Sequence, residues 1–268
     1  MIIYLADLSH TGRGISPNTV PLSVAYLSSY LRKNISGLKI KIFKDPNALL
    51  DAISVKTPDV VGFSIHLWSE KLSSFCAQRL KSISPEVITV VGGPSIDDID
   101  EELHLFLLNH PEYDVCIPGE GEVGLLKLIE HLNNQKPISS NSPIPGCATL
   151  ADDRSLMKGV YERPNMNDIS SPYLDGTLDA FLEDGYEPMI QSMRGCPYAC
   201  TFCVSGTKNW HKLRAFNPEQ VFAEFEYIKA NSTNKNLILC DENFGILKEH
   251  DVAFAKHIRK SFDESSYP

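Results

Sequence analysis

Three closely spaced cysteines are the residues of this sequence whose types and spacing most directly indicate chemistry. Cys196, Cys200 and Cys203 form a Cys-x3-Cys-x2-Cys pattern within RGCPYACTFCVSG. Thiolates are the ligands of iron–sulfur clusters, and a loop of this length can bring three of them around one cuboidal cluster. Three ligands for four irons leave one iron open to a second molecule. The spacing therefore predicts a [4Fe–4S] site with one open coordination position.

Four other roles for these cysteines are alternatives to the cluster. A structural zinc ion normally takes four ligands, and Cys240 or His211 could supply the fourth. A ferredoxin run has different spacing and a fourth nearby cysteine, which this segment lacks. A disulfide is disfavoured in a reducing compartment. Buried structural cysteines are the remaining alternative.

The cysteine segment resembles the signature of radical S-adenosylmethionine (SAM) enzymes, in which an aromatic residue often precedes the third cysteine, as Phe202 does here. The segment RAFNPEQVFAEFE at 214–226 also resembles these enzymes after their cluster loop. The resemblance implies a [4Fe–4S] cluster whose open iron is chelated by the amino and carboxylate groups of SAM. It further implies reductive cleavage of SAM to a 5′-deoxyadenosyl radical that abstracts hydrogen, with Phe202 near the adenine.

Acidic residues follow the next predicted strand, within LCDENFG at 239–245. By the same resemblance this position faces the methionine end of SAM. Asp241 or Glu242 could there accept a charge-assisted hydrogen bond from the amino group. Asp, Asn and Gly also favour turns and helix caps, so a structural role is the alternative for either residue.

Strand-like apolar runs alternate with amphipathic helical patterns over the first 135 residues. The predicted strands lie at 2–6, 38–43, 60–65, 87–91 and 113–117, and the predicted helices at 19–32, 48–55, 70–83, 99–108 and 122–132. This alternation indicates βαβ units and a parallel sheet covered on both faces. We therefore expect a doubly wound, flavodoxin-like domain, which binds ligands at the carboxyl ends of its strands.

A second α/β pattern begins near residue 187. Strands are predicted at 189–193 and 236–240, and helices at 218–229, with Asn217 as N-cap, and at 250–261. Two βα units cannot close a barrel, so we expect the first part of a partial (β/α) barrel in a fragment of a longer protein. The predicted organisation is a flavodoxin-type domain at 1–135, a linker at 136–186 with a short hairpin around 151–154, and the barrel part at 187–268.

The N-terminal region resembles the cobalamin-binding domain of a large branch of the same enzymes. The matching pieces are PLSVAYLSSYL at 21–31, DVVGFSIHLWS at 59–69, VVGGPS at 90–95 and YDVCIPGEGE at 113–122. The resemblance implies a bound cobalamin whose nucleotide tail accepts or donates a hydrogen bond at Ser64. Gly92 and Gly93 would let the backbone approach the macrocycle, and Gly119 would shape the last loop.

One loop departs from the pattern of many cobalamin domains, which place a cobalt-binding histidine in Asp-x-His-x-x-Gly. Here the loop is Asp7-Leu-Ser-His10-Thr-Gly12, with the histidine one place late. Either His10 still binds cobalt, or it is a loop histidine and the protein supplies no histidine ligand. His66 and Trp68 lie where a cobalamin tail or face could be, although Trp68 could simply pack beneath the loop. A domain that only supports the barrel is the alternative to cobalamin binding.

Together the two resemblances imply a cobalamin-dependent radical SAM enzyme, with methyl transfer to an unactivated carbon or phosphorus as the expected outcome. The expected substrate is a small molecule or a peptide, and the expected electron donor is a protein such as flavodoxin or ferredoxin. A cobalamin-free, methylthiotransferase-like enzyme is one alternative, but Cys76, Cys116 and Cys147 lack the clustered spacing of its second cluster. A non-catalytic cobalamin-binding module is the other.

The bulk composition excludes several other classes of function. The formal net charge is −9, which disfavours a broad electrostatic hold on nucleic acid or on an anionic membrane. No apolar run reaches the roughly 18 residues of a membrane span. The N-terminus MIIYLADLSH has no basic region before its apolar stretch and reads as a strand, not as a signal peptide. The sequence therefore predicts a cytoplasmic protein with reduced thiols.

Overall fold

A computed structural model of the chain describes residues 1–10, 18–135, 138, 142–203 and 212–261. The chain forms two compact units. The first comprises Met1–Pro17 and Ser23–Pro164, and the second comprises Asn18–Leu22 and Asn165–Pro268. Each unit is described by itself below.

The first unit is built around a seven-stranded sheet. Its strands are β1 (Ile2–Ala6), β2 (Lys39–Phe43), β3 (Val60–Ser64), β4 (Ile88–Gly92), β5 (Val115–Ile117), β6 (Ala148–Leu150) and β7 (Leu156–Lys158). The order is β2-β1-β3-β4-β5-β6-β7, with the first five strands parallel. The order of these five is that of flavodoxin-like sheets, so the predicted doubly wound fold is confirmed.

Helices cover both faces of this sheet. They are α1 (Leu22–Asn34), α2 (Pro46–Val55), α3 (Glu70–Ile83), α4 (Asp100–Asn109) and α5 (Gly121–Asn133). Successive strand residues point to opposite faces. Tyr4 accordingly packs in one core cluster with residues of α2, α3 and α4, whereas Ile3 packs in another with residues of α1 and α5. This two-sided burial explains why the inner strands β1, β3, β4 and β5 are almost wholly apolar.

The helix predicted at 19–32 begins later than expected, at Leu22. Thr19 instead forms an isolated parallel bridge with Glu187, and the Val20 N–H donates to the Glu187 carbonyl at 3.0 Å. Residues 18–22 therefore belong to the second unit, because the backbone groups that a helix would use are paired there.

A hairpin lies within the predicted linker, at β6 and β7. β6 pairs antiparallel with β5 through Cys116 and Ala148, and β7 pairs antiparallel with β6. The turn around 151–154 closes with a hydrogen bond from the Arg154 N–H to the Ala151 carbonyl at 2.8 Å. The first unit consequently extends to Pro164, past the predicted boundary at residue 135, because the hairpin satisfies one edge of the sheet.

The second unit contains two short pairs of strands. Its strands and helices are a 3-10 helix (Met166–Asp168), α6 (Asp179–Glu183), β8 (Met189–Ile190), β9 (Met193–Arg194), β10 (Arg214–Ala215), α7 (Pro218–Asn231), β11 (Ile238–Leu239) and α8 (Lys248–Ser261). β8 pairs parallel with β11, as expected for neighbouring βα units, and β9 pairs antiparallel with β10. Asn217 caps α7 as predicted, since its Oδ1 accepts the Glu219 N–H at 3.0 Å. Over the part of the chain that the structure describes, we find no helix with the length and apolarity of a membrane span.

The single strand predicted at 189–193 is two strands in the structure. The break falls at Gln191–Ser192, where the Asp241 Oδ1 accepts the backbone N–H of Ser192 at 2.7 Å and that of Met193 at 3.0 Å. A side-chain carboxylate thus takes the backbone donors that would otherwise continue the ladder.

Candidate functional site

The cysteine loop leaves β9 through Gly195, whose φ of 95° lies in the region that favours glycine. Cys196 is buried, whereas Cys200 and Cys203 are exposed. The Cys203 N–H donates to the Cys200 carbonyl at 3.1 Å, so the last two cysteines share one turn. Phe202, between them, is 91% exposed and contributes little to the protein core.

The three thiols are not assembled as a closed metal site. Within the ranges described above, no group of three His, Cys, Asp or Glu side chains is gathered closely enough to hold a metal ion. Two of the three thiols are nevertheless exposed on one turn, and the third lies a few residues earlier at the end of β9.

The other four cysteines are buried or partly buried. Burial raises the pKa of Cys76 to about 11 and that of Cys147 to about 12, and it raises the pKa of Cys116 further. Thiols kept protonated by burial are poor metal ligands. Cys76, Cys116 and Cys147 are buried in the first unit, which disfavours the second cluster that a methylthiotransferase-like enzyme would need there.

Cys240 and His211 were the candidates for a fourth zinc ligand. Burial raises the pKa of Cys240 to about 12, and its Sγ contacts the Ile238 carbonyl at 3.8 Å. His211 lies outside the described residues. The Cys240 thiol thus faces the backbone of the strand that precedes it. This orientation favours a metal site with three cysteine ligands.

Asp241, predicted as a SAM contact, is already engaged by the protein. Its Oδ1 accepts the Ser192 and Met193 N–H groups, and its Oδ2 accepts the Ser192 hydroxyl. Burial raises the pKa of Asp241, although these hydrogen bonds oppose the shift. Glu242 follows on the same loop and is exposed. Contacts of Asp241 or Glu242 with SAM stay predictions.

Asn243 is a residue at this site that the sequence analysis did not single out. Its Nδ2 donates to the Cys196 Sγ at 2.6 Å, across 47 residues of sequence. The resemblance drew attention to the acidic pair just before it, and an asparagine among turn residues carries no signal for a sulfur contact. The loop after β11 therefore meets the loop after β9 at the first cysteine.

Polar residues gather at the carboxyl ends of β1, β2 and β3 in the first unit. The Asp7 carboxylate lies 3.5 Å from the Lys44 Nζ and 3.9 Å from the His66 Nε2. Burial lowers the pKa of His66, and Lys44 lowers it as well, against the opposing pull of Asp7. A neutral imidazole therefore stands at the edge where flavodoxin-like sheets bind ligands.

Trp68 lies over this cluster on the loop after β3. Its ring stacks on His66, with centroids 4.6 Å apart and planes 7° from parallel, and it stays 60% exposed. The His10 Nε2 contacts the Trp68 carbonyl at 2.9 Å. Trp68 thus does not pack beneath the loop. Gly12, from the cobalt-binding comparison, lies outside the described residues.

The predicted glycines lie close to other atoms of the first unit. A Cβ on Gly93, which has φ 111°, would lie 2.6 Å from the Ile65 carbonyl oxygen, and a Cβ on Gly92 would lie 2.9 Å from that of Ile117. A Cβ on Gly119 would lie 3.0 Å from the Tyr161 ring. Ser64 is buried at the end of β3. Ligand contacts by these four residues stay predictions.

No family model matches the chain. The cobalamin-dependent radical SAM methyltransferase TokK of Streptomyces tokunonensis is 28% identical over 249 residues, which cover 88% of this chain and 36% of that protein. A 2-(S-pantetheinyl)-carbapenam-3-carboxylate methyltransferase of Streptantibioticus cattleyicolor is 28% identical over 241 residues, covering 85% and 34%. The predicted resemblance to cobalamin-dependent radical SAM enzymes is confirmed. This chain spans about a third of the length of these curated relatives.

A solved structure supports the resemblance at the level of fold. The cobalamin-dependent SAM radical enzyme OxsB, with aqua-cobalamin and SAM bound, matches with a TM-score of 0.76 and 20% sequence identity. The match covers 97% of this chain and 37% of that one. The α/β architecture derived above is therefore shared with a cobalamin-dependent radical SAM enzyme.

Proposed function

We propose that this chain is the cofactor-binding part of a cobalamin-dependent radical SAM enzyme that transfers a methyl group to an unactivated carbon or phosphorus. The observation that carries the proposal is the three-cysteine loop at the end of β9, in a chain whose other unit has the flavodoxin strand order. The methyltransferases TokK and the carbapenam enzyme are similar over more than four-fifths of the chain, which supports both units in one function.

The residues of the cysteine loop fit a [4Fe–4S] cluster by the chemistry of their donors. Cys196, Cys200 and Cys203 are free thiols, and two of them are exposed. When bound, such a cluster supplies the single electron that cleaves SAM reductively. The three cysteines would leave one iron without a protein ligand, and the exposed Phe202 would lie near the adenine of SAM. Glu242 accepts a hydrogen bond from the amino group of SAM in this proposal.

The first unit offers a fit to cobalamin at the carboxyl ends of its strands. Trp68 presents an aromatic face that is not packed in the core, and the ring of the neutral His66 stacks against the Trp68 ring. When bound, cobalamin carries the methyl group that is transferred. Ser64 and the loops at Gly92–Gly93 and Gly119 border the same edge of the sheet. The contact between the His10 Nε2 and the Trp68 carbonyl favours a loop role for this histidine over a role as cobalt ligand.

The remaining partners follow from this chemistry. The substrate is a small molecule or a peptide, and an external protein such as flavodoxin or ferredoxin supplies the electron. All seven cysteines are free, which suits a reducing cytoplasm. The net charge of −9 does not suggest nucleic acid as a partner.

Metal content is the measurement that tests this function. After anaerobic reconstitution with iron, sulfide and hydroxocobalamin, we expect about four irons per chain and about one cobalt. Replacing Cys196, Cys200 and Cys203 with alanine should remove the iron and leave the cobalt. The Cys240→Ala variant is the matched control and should keep both. Zinc in place of iron would overturn the proposal, and iron without cobalt would leave only the radical SAM part.

Cobalamin binding through the exposed aromatic face predicts a specific effect of Trp68→Ala. Loss of one stacked aromatic contact is expected to weaken hydroxocobalamin binding by roughly three- to tenfold. Phe75 on α3 is 59% exposed, against 60% for Trp68, so Phe75→Ala is a matched control that should bind as the unmodified chain does. Equal affinities for the two variants, measured by absorbance titration, would remove Trp68 from the cobalamin site.

A further inference from the structure

One contact joins the cysteine loop to the loop after β11. The Asn243 Nδ2 lies 2.6 Å from the Sγ of Cys196, which is the buried member of the three cysteines. An amide N–H is a donor and a cysteine sulfur is an acceptor, so the contact is a hydrogen bond to the sulfur. Because Cys196 is buried, water has little access to its sulfur and does not readily replace the Asn243 amide as hydrogen-bond donor.

The loop that carries Asn243 is held at both ends by carboxylates. Before it, Asp241 accepts hydrogen bonds from Ser192 and Met193. After it, the buried Asp251 accepts the N–H groups of Gly245 at 2.7 Å and Leu247 at 3.0 Å. The Asn243 carbonyl also accepts the Ile246 N–H at 3.3 Å. These hydrogen bonds thus fix the backbone from which the side-chain amide of Asn243 reaches Cys196.

We propose that Asn243 is a positioning residue that tunes the cluster through this hydrogen bond to Cys196. The inference rests on the proposed function, in which Cys196 is a thiolate ligand of the [4Fe–4S] cluster. Hydrogen bonds to ligand sulfurs are one of the factors that set cluster potentials. Reduction adds negative charge that the sulfurs share, so a donor stabilises the reduced form more than the oxidised form. Asn243 therefore raises the reduction potential and makes the electron easier to accept.

The test is a redox titration of the reconstituted 268-residue chain, in which dithionite adds one electron to the [4Fe–4S]2+ form to give [4Fe–4S]1+. The reduced form is followed by electron paramagnetic resonance. Asn243→Ala removes the donor, and Asn243→Asp keeps the shape while replacing the donor with an acceptor. We expect the potential to fall in the order unmodified, alanine, aspartate. For alanine, the fall should match about a tenfold change in the oxidised-to-reduced ratio, ~59 mV for one electron.

Iron content and circular dichroism separate tuning from a purely structural role. Both variants should keep about four irons and the unmodified spectrum. Asn231→Ala is the control, because the Asn231 side chain donates to the Tyr227 carbonyl on α7 and its loss should leave the potential unchanged. Equal potentials in all four proteins would overturn the inference and leave the proposed function standing. Loss of iron from a folded Asn243 variant would also overturn it, in favour of a role in assembly. An unmodified chain that binds no iron would overturn both.

Discussion

Replacing Asp241 with alanine is expected to destabilise the second unit by about 3 kcal/mol. The carboxylate is the acceptor for two backbone N–H groups and one hydroxyl at Ser192 and Met193, which are 0% and 1% exposed. Alanine leaves these donors without a partner and without access to water. The change should appear in urea unfolding, and in faster hydrogen–deuterium exchange of peptides that span β8, β9 and β11.

The Asp241→Asn variant is the matched control for this prediction. Its Oδ1 can still accept the two backbone N–H groups, while its Nδ2 can donate to the Ser192 oxygen, which accepts as well as donates. Burial already raises the pKa of Asp241, so a neutral side chain is tolerated there. We expect stability near that of the unmodified chain. An asparagine variant as unstable as the alanine variant would show that the negative charge, and not the acceptor geometry, holds the loop.

The first unit could be predicted from sequence because its signals are local. β3 has the sequence VVGFS and is buried at every position, so it appears as a continuous apolar run. Helix α3 occupies Glu70–Ile83, as its apolar spacing indicates. Once five such strands alternate with helices, the rules for parallel connections leave few topologies. The same local reading identified the cysteine spacing, because the three cysteines lie within one short segment of sequence.

The features that were missed all depend on contacts between distant residues. The break between β8 and β9 is made by Asp241, which lies 49 residues from Ser192. The Asn243 contact to Cys196 spans 47 residues. Composition and periodicity show which residues are apolar or small, but they do not show which distant residues come into contact.

Replacing Glu224 with glutamine is expected to change how the stability of the second unit depends on pH. Glu224 lies on α7 and is 1% exposed. Burial raises its pKa from the ordinary 4.5 to about 7, against hydrogen bonds from Ser171 and Gln220 that lower it. Between these two values the unfolded chain ionises while the folded chain keeps its proton. Stability therefore falls as the pH rises from 4.5 to about 7 and is lowest above that range.

The size of the effect follows from the shift, at about 1.4 kcal/mol per pKa unit. At about pH 8 this glutamate lowers the free energy of unfolding by about 3 kcal/mol relative to pH 4.5 or below. Glutamine cannot ionise, so the difference in stability between Glu224→Gln and the unmodified chain should grow by that amount across the range. Any constant cost of the amide adds an offset and leaves this slope unchanged.

Glu226, two residues along the same helix, provides a control of opposite sign. A hydrogen bond from Ser261 lowers its pKa, with His257 and Lys229 acting in the same direction. Its contribution to stability is therefore present above the ordinary pKa and is lost as the pH falls through the lower folded value. The difference in stability between Glu226→Gln and the unmodified chain should accordingly stay constant above about pH 4.5 and shrink only in acid, where the contribution of the ionised Glu226 is lost. Urea unfolding of all three proteins from about pH 4 to pH 8 separates the two glutamates. A difference in the free energy of unfolding between Glu224→Gln and the unmodified chain that does not change with pH would contradict the prediction. It would mean that the buried carboxyl is ionised throughout and that water or a cation reaches it.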